Sequence, residues 1–375
     1  TYDPEIDAID NSINKEFGSL FKINAYNSSL LFNPNEILNN AGSFFKVYTP
    51  FWKNALNKLN LREPLPFPNI KYVYQKEILS LKNIAISDVD EKWGKKILSY
   101  FNPGEVSARE MLGKTSTNIK GYSEGRDFPI KNNTSQLSPY IARGELSVNE
   151  IFYLMRKNKK KININDYAKF TSQLGWREFS YNILYNFPKL PRKNFISKFD
   201  NFPWSKNSKL LNLWKKGLTG YPIVDAGMRE LRTTGYMHNR LRMIVASFLI
   251  KNLNISWVEG AKWFWENLFD ADIANNSSGW QWVAGCGTDA APYFRIFNPT
   301  LQSVRFDKDG EYIRKWVPEL KDLPNKLIHS PWELTEIELL TYNVKLGKDY
   351  PHPIVDHKTT RDEALRNYKK INIAK

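Results

Sequence analysis

Apolar residues recur at helical spacing beyond Tyr100, and this periodicity constrains the fold more than any other feature of the chain. Helical patterns occupy about residues 166–187, 207–216, 223–252 and 256–269. No strand pattern alternates with them, as it does in α/β proteins. We therefore predict a mainly α fold, with an all-helical domain over residues 101–375.

Local signals agree with this prediction. Ser138 and Pro139 are typical of a helix start, because a hydroxyl caps free N–H groups and proline has no N–H to lose at the first position. Ser147 and Glu150 have the spacing of a capping box before an apolar helix. The basic run at residues 156–161 predicts a solvated loop.

The first hundred residues have a different pattern. Residues 44–52 are rich in aromatic side chains and contain Pro50, which predicts a strand broken by its proline. We interpret residues 1–60 as the tail of an α/β domain, and the proline-punctuated residues 61–100 as a connector. Because the chain begins with Thr1 and no Val- and Ile-rich strand opens it, we treat it as a fragment that lacks its natural N-terminus.

Several classes of protein are excluded by the sequence. The longest apolar run, residues 243–250, is far shorter than the roughly 20 residues of a membrane span. The single cysteine, Cys286, cannot form an intrachain disulfide, and no leader resembles a signal peptide, so we expect a cytoplasmic protein. We also predict no metal site, because the histidines lack metal-ligand spacing: His238, His329, His352 and His357.

The net charge of +15 favours a polyanionic partner, and nucleic acid is the first candidate. An AT-biased genome is an equally good explanation, since the chain is rich in Lys, Asn and Ile together. The 12 tryptophans are more informative, because several lie near polar groups rather than in apolar runs.

One helical face predicts a pocket wall. Asn239, Arg242, Met243 and Ala246 follow one another at i, i+3, i+4 and i+7. An amide, a guanidinium, a soft side chain and a small one suit a ligand with both a ring and a charge. The alternative is the ordinary polar side of an amphipathic helix.

Two polar segments could complete such a pocket. Residues 270–282 place carboxylates, amides and hydroxyls between aromatic helices, where Asp270 could pair with Arg242; helix capping accounts for only part of this run. Residues 134–139 offer hydroxyls and free helix-start N–H groups to a phosphate. No glycine-rich dinucleotide or phosphate-loop motif is present, so a nucleotide would bind by another architecture.

Taken together, these residues resemble the photolyase/cryptochrome family, and within it the class I cyclobutane pyrimidine dimer photolyases. The resemblance covers nearly the whole chain. It is carried by residues 121–129, 134–140, 176–179, 219–226, 235–248 and 270–299.

The resemblance implies that the helical domain holds a U-shaped FAD, active when reduced, and that residues 1–60 are the remnant of a Rossmann-like antenna domain. It implies that Asp270 pairs with Arg242 and that Asn276 faces flavin N5. The implied FAD-binding residues are Tyr122, Thr134, Ser135, Gln136, Leu137, Ser138, Phe170, Arg177, Asn239, Arg242, Asp270, Ala271, Asp272 and Asn276.

The resemblance also implies a monomeric, light-driven DNA repair enzyme, associated with the bacterial nucleoid through its substrate. Photoexcited reduced flavin would inject an electron into a pyrimidine dimer flipped out of the duplex. The implied lesion and DNA contacts are Arg126, Gln173, Trp176, Asn239, Arg240, Met243 and Trp282. Trp280, Trp257 and Trp204 match the family's electron relay from flavin to surface, although core packing would explain any one of them.

Two departures leave alternatives open. Gln173 stands where class I enzymes usually carry glutamate, and Phe170 where they carry tryptophan. Glutamine there is a feature of (6-4) photolyases, whereas Asn239 departs from the second histidine that those enzymes carry. A cryptochrome-type light sensor is the other alternative. An antenna pigment, folate or deazaflavin, cannot be assigned, because most of the region that binds it is absent.

Overall fold

The structure, a computed structural model, describes residues 2–66, 69, 91–117 and 119–373. The helices are α1 (Pro4–Phe17), α2 (Tyr48–Asn57), α3 (Glu91–Leu98), α4 (Glu105–Thr117), α5 (Tyr122–Gly125), α6 (Ser138–Ala142), α7 (Val148–Asn158), α8 (Ile164–Asn186), α9 (Ser208–Lys216), α10 (Pro222–Thr234), α11 (Asn239–Ser247), α12 (Trp257–Asn267), α13 (Ile273–Ala284), α14 (Pro299–Phe306), α15 (Glu311–Trp316), α16 (Glu336–Thr341) and α17 (His357–Ile373). Extended pairing within these ranges is limited to isolated bridges such as Leu38 with Phe44. The predicted mainly α fold is confirmed.

The helix starts predicted from capping chemistry are largely confirmed. Ser147 accepts a hydrogen bond from the Asn149 N–H before α7, and Pro222 occupies the first turn of α10. At α6 the prediction was one residue off: Leu137 is the N-cap, and the Ser138 hydroxyl donates instead to Asp270 Oδ2 at 2.8 Å. The side chain expected to cap the helix therefore contacts a distant carboxylate.

The long helix predicted over residues 223–252 is wrong, because the chain breaks it in two. Gly235 has φ 70°, a left-handed conformation that ends α10 and that glycine adopts without steric cost. His238 then caps α11, whose C-terminal end continues as the π-helix Phe248–Asn252. Because of this break, the orientation of α11 does not follow from that of α10.

The strand predicted at residues 44–52 is also wrong, because most of this stretch belongs to α2. Tyr48, Phe51 and Ala55 lie at i, i+3 and i+7 and are all buried. They pack against α8, where Gly175 allows the close approach: a Cβ there would lie 2.6 Å from the Trp52 ring. Packing against α8 overrides the β-propensity of the aromatic residues.

Three buried clusters form the core. The largest joins α10, α11, α12 and α13 with the C-terminal helices, and the second joins α4, α7 and α8. The third packs Phe51 and neighbouring N-terminal residues against Phe179 and Ile183 of α8. The proposed boundaries at 1–60, 61–100 and 101–375 stay predictions, and much of 61–100 lies outside the described residues.

No helix within the described ranges is long and apolar enough to span a lipid bilayer.

Candidate active site

A cavity of about 530 Å³ lies between α8, α11, α13 and the segment around α6. It brings together residues as far apart in the sequence as Tyr122 and Thr288. The predicted site residues in its wall are Tyr122, Arg126, Thr134, Ser135, Gln136, Leu137, Ser138, Phe170, Gln173, Trp176, Arg177, Asn239, Arg242, Met243, Asp270, Ala271, Asp272, Asn276, Trp280 and Trp282. Arg240, Trp257 and Trp204 lie outside it.

An ion pair holds two walls of the cavity together. Arg242 Nη2 lies 2.8 Å from Asp270 Oδ2 and 3.0 Å from Oδ1. Arg242 Nε donates to the Met237 carbonyl at 2.7 Å, which fixes the plane of the guanidinium. Burial opposes the charge of Arg242, but the Asp270 carboxylate together with Tyr236 and Glu230 outweighs burial and raises the pKa of Arg242. The ion pair ties α11 to the segment that precedes α13.

The predicted pocket wall on α11 has the expected geometry. Asn239, Arg242, Met243 and Ala246 all line the cavity, while Leu241 and Ile244 of the same helix are fully buried in the core. This face therefore contacts the cavity rather than forming an ordinary solvated side of the helix.

The start of α13 is fixed by its own polar side chains. Asp272 caps the helix by accepting from the Asn275 N–H at 2.8 Å, and it also accepts from the Tyr181 hydroxyl at 2.7 Å. Asn276 Nδ2 donates to the Ala261 carbonyl at 2.9 Å, so α12 sets the orientation of this amide. Each polar group therefore has a defined position before any ligand binds.

Aromatic side chains form the opposite part of the wall. Trp176 stacks on Tyr48 with ring centroids 3.8 Å apart and an angle of 8° between the planes. The Tyr48 hydroxyl donates to the Ser172 carbonyl at 2.9 Å. Tyr48 therefore supports the cavity-lining indole of Trp176 from behind, a role that the sequence did not reveal.

Two further side chains belong to this part of the wall. Phe170 is buried and meets Tyr122 edge-on at 5.6 Å. The half-buried Gln173 donates to the Lys169 carbonyl at 3.3 Å.

The three predicted relay tryptophans differ in burial. Trp280 is 3% exposed and lines the cavity, Trp257 is 1% exposed, and Trp204 is half-buried. Trp257 Nε1 donates to Asn194 Oδ1 at 2.8 Å, and Trp204 packs on Phe202 at 4.2 Å. This order, from cavity to partly exposed surface, is the one that the relay requires, and the relay stays a prediction.

Sequence reasoning missed several wall residues, among them Tyr236, Ser278 and Thr288. Tyr236 lies in the loop between α10 and α11, and burial raises its pKa to about 12. The sequence signal for Tyr236 is the glycine at position 235, where the chain breaks although the apolar spacing predicts a continuous helix. Ser278 Oγ and Trp280 Nε1 are buried with no hydrogen-bond partner among the described residues. Buried donors of this kind at a cavity indicate a bound partner.

Within the described residues, no group of three His, Cys, Asp or Glu side chains is placed to hold a metal ion.

Residues 170–370 match the family model described as the FAD binding domain of DNA photolyase. Fold and cavity therefore define a helical FAD-binding domain. The chain is 42% identical to the deoxyribodipyrimidine photo-lyase of Agrobacterium fabrum, over 99% of this chain and 78% of that protein. It belongs to the photolyase/cryptochrome family.

Two solved structures extend the comparison. A bacterial class III photolyase from Agrobacterium tumefaciens is similar with a TM-score of 0.91 and 42% identity, covering 100% of this chain and 78% of that one. A cryptochrome from Synechocystis is similar with a TM-score of 0.81 and 32% identity, covering 96% and 76%. The expectation of class I is not confirmed, because the first of these structures is of class III.

The cavity has the chemistry that FAD needs. The hydroxyls of Thr134, Ser135 and Ser138 lie on one side with Arg242, where they suit phosphate and sugar oxygens. Trp280 and Phe170 offer flat apolar surface for a ring system.

Proposed function

We propose that this protein repairs cyclobutane pyrimidine dimers in DNA with the energy of light, using FAD bound in the cavity. The observation that carries the proposal is the joint composition of that cavity. The expected cofactor residues, such as Arg242 and Asp270, share one space of about 530 Å³ with the expected lesion residues Gln173, Trp176 and Trp282. When bound, reduced FAD supplies the photoexcited electron donor of the reaction.

The protein's own residues perform the binding and positioning. The Arg242–Asp270 pair and the hydroxyls of residues 134–138 would hold the cofactor, and the amide of Asn276, which also lines the cavity, would face its ring. Trp176 and Trp282 provide flat walls against which the two bases of a dimer can stack, and they exclude water there. The carboxamide of Gln173 can donate and accept hydrogen bonds at the edge of a thymine.

DNA binding is proposed from charge and from the lesion itself. The net charge of +15 favours contact with phosphates, and the resulting affinity should fall as salt rises. Photolyases as a group flip their target out of the helix, and a poorly stacked dimer costs less to flip than a normal base. Damaged duplex should therefore bind more tightly than intact duplex.

Trp280, Trp257 and Trp204 are proposed as the relay that reduces an oxidised cofactor in light. Trp280 would donate an electron to bound FAD, Trp257 would then re-reduce Trp280, and Trp204 would re-reduce Trp257. The half-buried position of Trp204 lets an external reductant restore that residue.

A light-sensing function is the second candidate, because the Synechocystis cryptochrome shares the fold with a TM-score of 0.81. Light-dependent repair separates the two functions directly. A (6-4) photolyase is a third candidate on the strength of Gln173, whereas Asn239 lacks the imidazole acid expected of that reaction.

The test uses FAD-loaded protein, blue light and duplexes that carry one cyclobutane thymine dimer or one (6-4) product. We expect restoration of the cyclobutane dimer in light and not in the dark. Trp176→Phe should weaken repair, whereas Trp316→Phe, outside the cavity, should not. Repair of the (6-4) product alone would reassign the substrate. Flavin photochemistry without repair of either lesion would favour the light sensor.

A further inference from the structure

Both ring nitrogens of His238 form hydrogen bonds, although this residue lies outside the cavity wall. It is 4% exposed, and its Nδ1 accepts a hydrogen bond from the Arg240 N–H at 3.1 Å, which caps α11. Its Nε2 lies 2.9 Å from the Arg126 carbonyl oxygen. Because Nδ1 accepts, the single proton of the neutral ring must be on Nε2, which therefore donates to Arg126.

The ring stays neutral in its surroundings. Burial lowers the pKa of His238 to about 4, and the nearby charges of Arg126 and Arg242 act in the same direction, against the bond to the Arg126 carbonyl and the charge of Asp127. The assignment of one donor and one acceptor nitrogen therefore holds at any pH at which DNA repair would be measured.

The two residues that His238 holds are also joined through their side chains. Arg240 Nη2 lies 3.0 Å from Asp127 Oδ2, and Arg126 Nε lies 3.8 Å from Asp127 Oδ1. The Arg240 guanidinium packs on the Phe306 ring at 4.2 Å, and that of Arg126 lies 5.5 Å from the Tyr122 ring. The side chain of Asp127 is 40% exposed, whereas those of Arg240 and Arg126 are 18% and 10% exposed, so only a small part of each arginine reaches the surface beside the cavity.

We infer that His238 is a positioning residue that fixes the two guanidiniums of Arg126 and Arg240 for contact with the phosphates that flank a flipped lesion. The inference rests on the proposed function. Its basis is geometric: α11 carries Asn239 and Arg242 into the cavity, while Arg126 follows α5 in a separate part of the chain. The His238 side chain bonds to the backbone of both segments, next to the Arg240–Asp127 ion pair that also joins them, so it sets the position of these two arginines relative to the cofactor wall.

His238→Asn tests this role. Asparagine is a good N-cap and can still accept from the Arg240 N–H, but it is too short to reach the Arg126 carbonyl. Ser147→Ala, which removes a similar cap from α7 away from the cavity, is the matched control for lost helix stability. Bound FAD per chain, the flavin spectrum and the Kd for a dimer-containing duplex across a salt series are measured for both variants and the unmodified protein.

We expect His238→Asn to keep its FAD and spectrum, to weaken binding of damaged duplex about tenfold, and to reduce the slope of log K against log salt by about 1, as for one lost phosphate contact. Ser147→Ala should match the unmodified protein. In an Arg126→Ala background, His238→Asn should have a smaller effect on Kd, because one of the two guanidiniums through which His238 acts is gone.

Unchanged affinity and slope in His238→Asn would overturn the inference while leaving the proposed function intact. Loss of FAD together with affinity, or an undiminished effect in the Arg126→Ala background, would show a merely structural role and also overturn it. Failure of the unmodified FAD-loaded protein to bind damaged duplex would instead reject the proposed function, and the inference with it.

Discussion

Gln173 is the residue at which the site departs most from its expected pattern. It lines the cavity beside Trp176 and is anchored to its own helix by the bond to Lys169. A carboxamide can still hydrogen-bond a thymine edge, but it has no acidic proton to stabilise charge that develops on the dimer. Its presence should therefore limit ring splitting more than binding.

Gln173→Glu should raise the yield of dimer repair per absorbed photon, by up to about tenfold, while the Kd for damaged duplex changes little. The measurement is repair under a counted light dose together with a binding titration. Gln302→Glu, on α14 and outside the cavity, is the matched charge control. An unchanged or lower yield would contradict the argument for a missing acidic proton.

Trp280→Phe should abolish photoreduction of oxidised FAD and leave repair by chemically pre-reduced protein largely intact. The reason is that the relay supplies electrons to the cofactor and takes no part in splitting the ring.

Trp214→Phe is a demanding control, because the Trp214 ring lies 6.2 Å from that of Trp280 but is not in the predicted relay. It loses one bond to the Val245 carbonyl, worth about 1 kcal/mol. Flavin photoreduction under blue light is followed by absorbance; normal photoreduction in Trp280→Phe would refute the relay.

Glu178 links elements, because its carboxylate on α8 accepts from the Leu31 N–H at 2.9 Å and the Phe32 N–H at 3.4 Å. Burial raises its pKa from 4.5 to about 7, although Arg177 and the backbone bonds oppose this. Between these two values the folded state holds more protons than the unfolded state. The stability contributed by Glu178 is therefore present at low pH and lost as pH rises through this window.

Glu178→Gln should remove this dependence, since glutamine can accept the same two bonds without titrating. Relative to the unmodified protein, the variant should gain free energy of unfolding as pH rises from 4.5 to 7. Urea titrations at several pH values measure it. Lys251→Met is a control for which the opposite change is expected. Burial lowers the pKa of Lys251 from 10.5 to about 7, so between these values the unfolded state holds more protons than the folded state. Relative to the unmodified protein, this variant should lose free energy of unfolding as pH rises from 7 to 10.5. Parallel curves for Glu178→Gln and the unmodified protein would refute the assignment.

Several helices were predictable from sequence, and the errors have identifiable causes. Capping residues and apolar spacing located α7, α8, α9 and α12 to within a few residues. The stretch at 44–52 was misread because its aromatic residues favour strands, whereas Tyr48, Phe51 and Ala55 also fit a helical period that only the surface of α8 makes decisive. The break at Gly235 was missed because a lone glycine within a helical pattern is ambiguous.

The site was predictable where its residues share one element or one motif. Spacing made the α11 face a candidate pocket wall, although it also fitted the ordinary polar side of an amphipathic helix, and the Asp270–Arg242 pair followed from the need of a buried carboxylate for a partner. Tyr48 was not predictable, because it contacts Trp176 through the packing of α2 on α8, which are distant in sequence. Tyr236 was missed together with the helix break at Gly235.

At the scale of the whole molecule, FAD should be bound without a covalent bond. Within the described ranges the side-chain nitrogen and sulfur groups of the cavity wall are those of amides, guanidiniums, three indoles and the thioether of Met243, none of which forms the usual flavin linkages. Denaturation should therefore release free FAD, visible as a rise in fluorescence in the supernatant after precipitation. Added FAD should also raise Tm, because the ligand binds the folded state alone. Flavin that stays with the precipitated chain would contradict this.

Two stretches of the chain, residues 122–180 and 236–288, line the cavity. The buried helix α10 lies between them in sequence. Neither stretch encloses a concave surface by itself, so uptake of the cofactor must come late in folding, after contacts of long sequence separation have formed. Bound flavin therefore identifies chains that have folded far enough to form the cavity. The ratio of bound flavin to protein in a preparation therefore gives a lower bound on the fraction of chains that have completed folding, independently of any assay of activity.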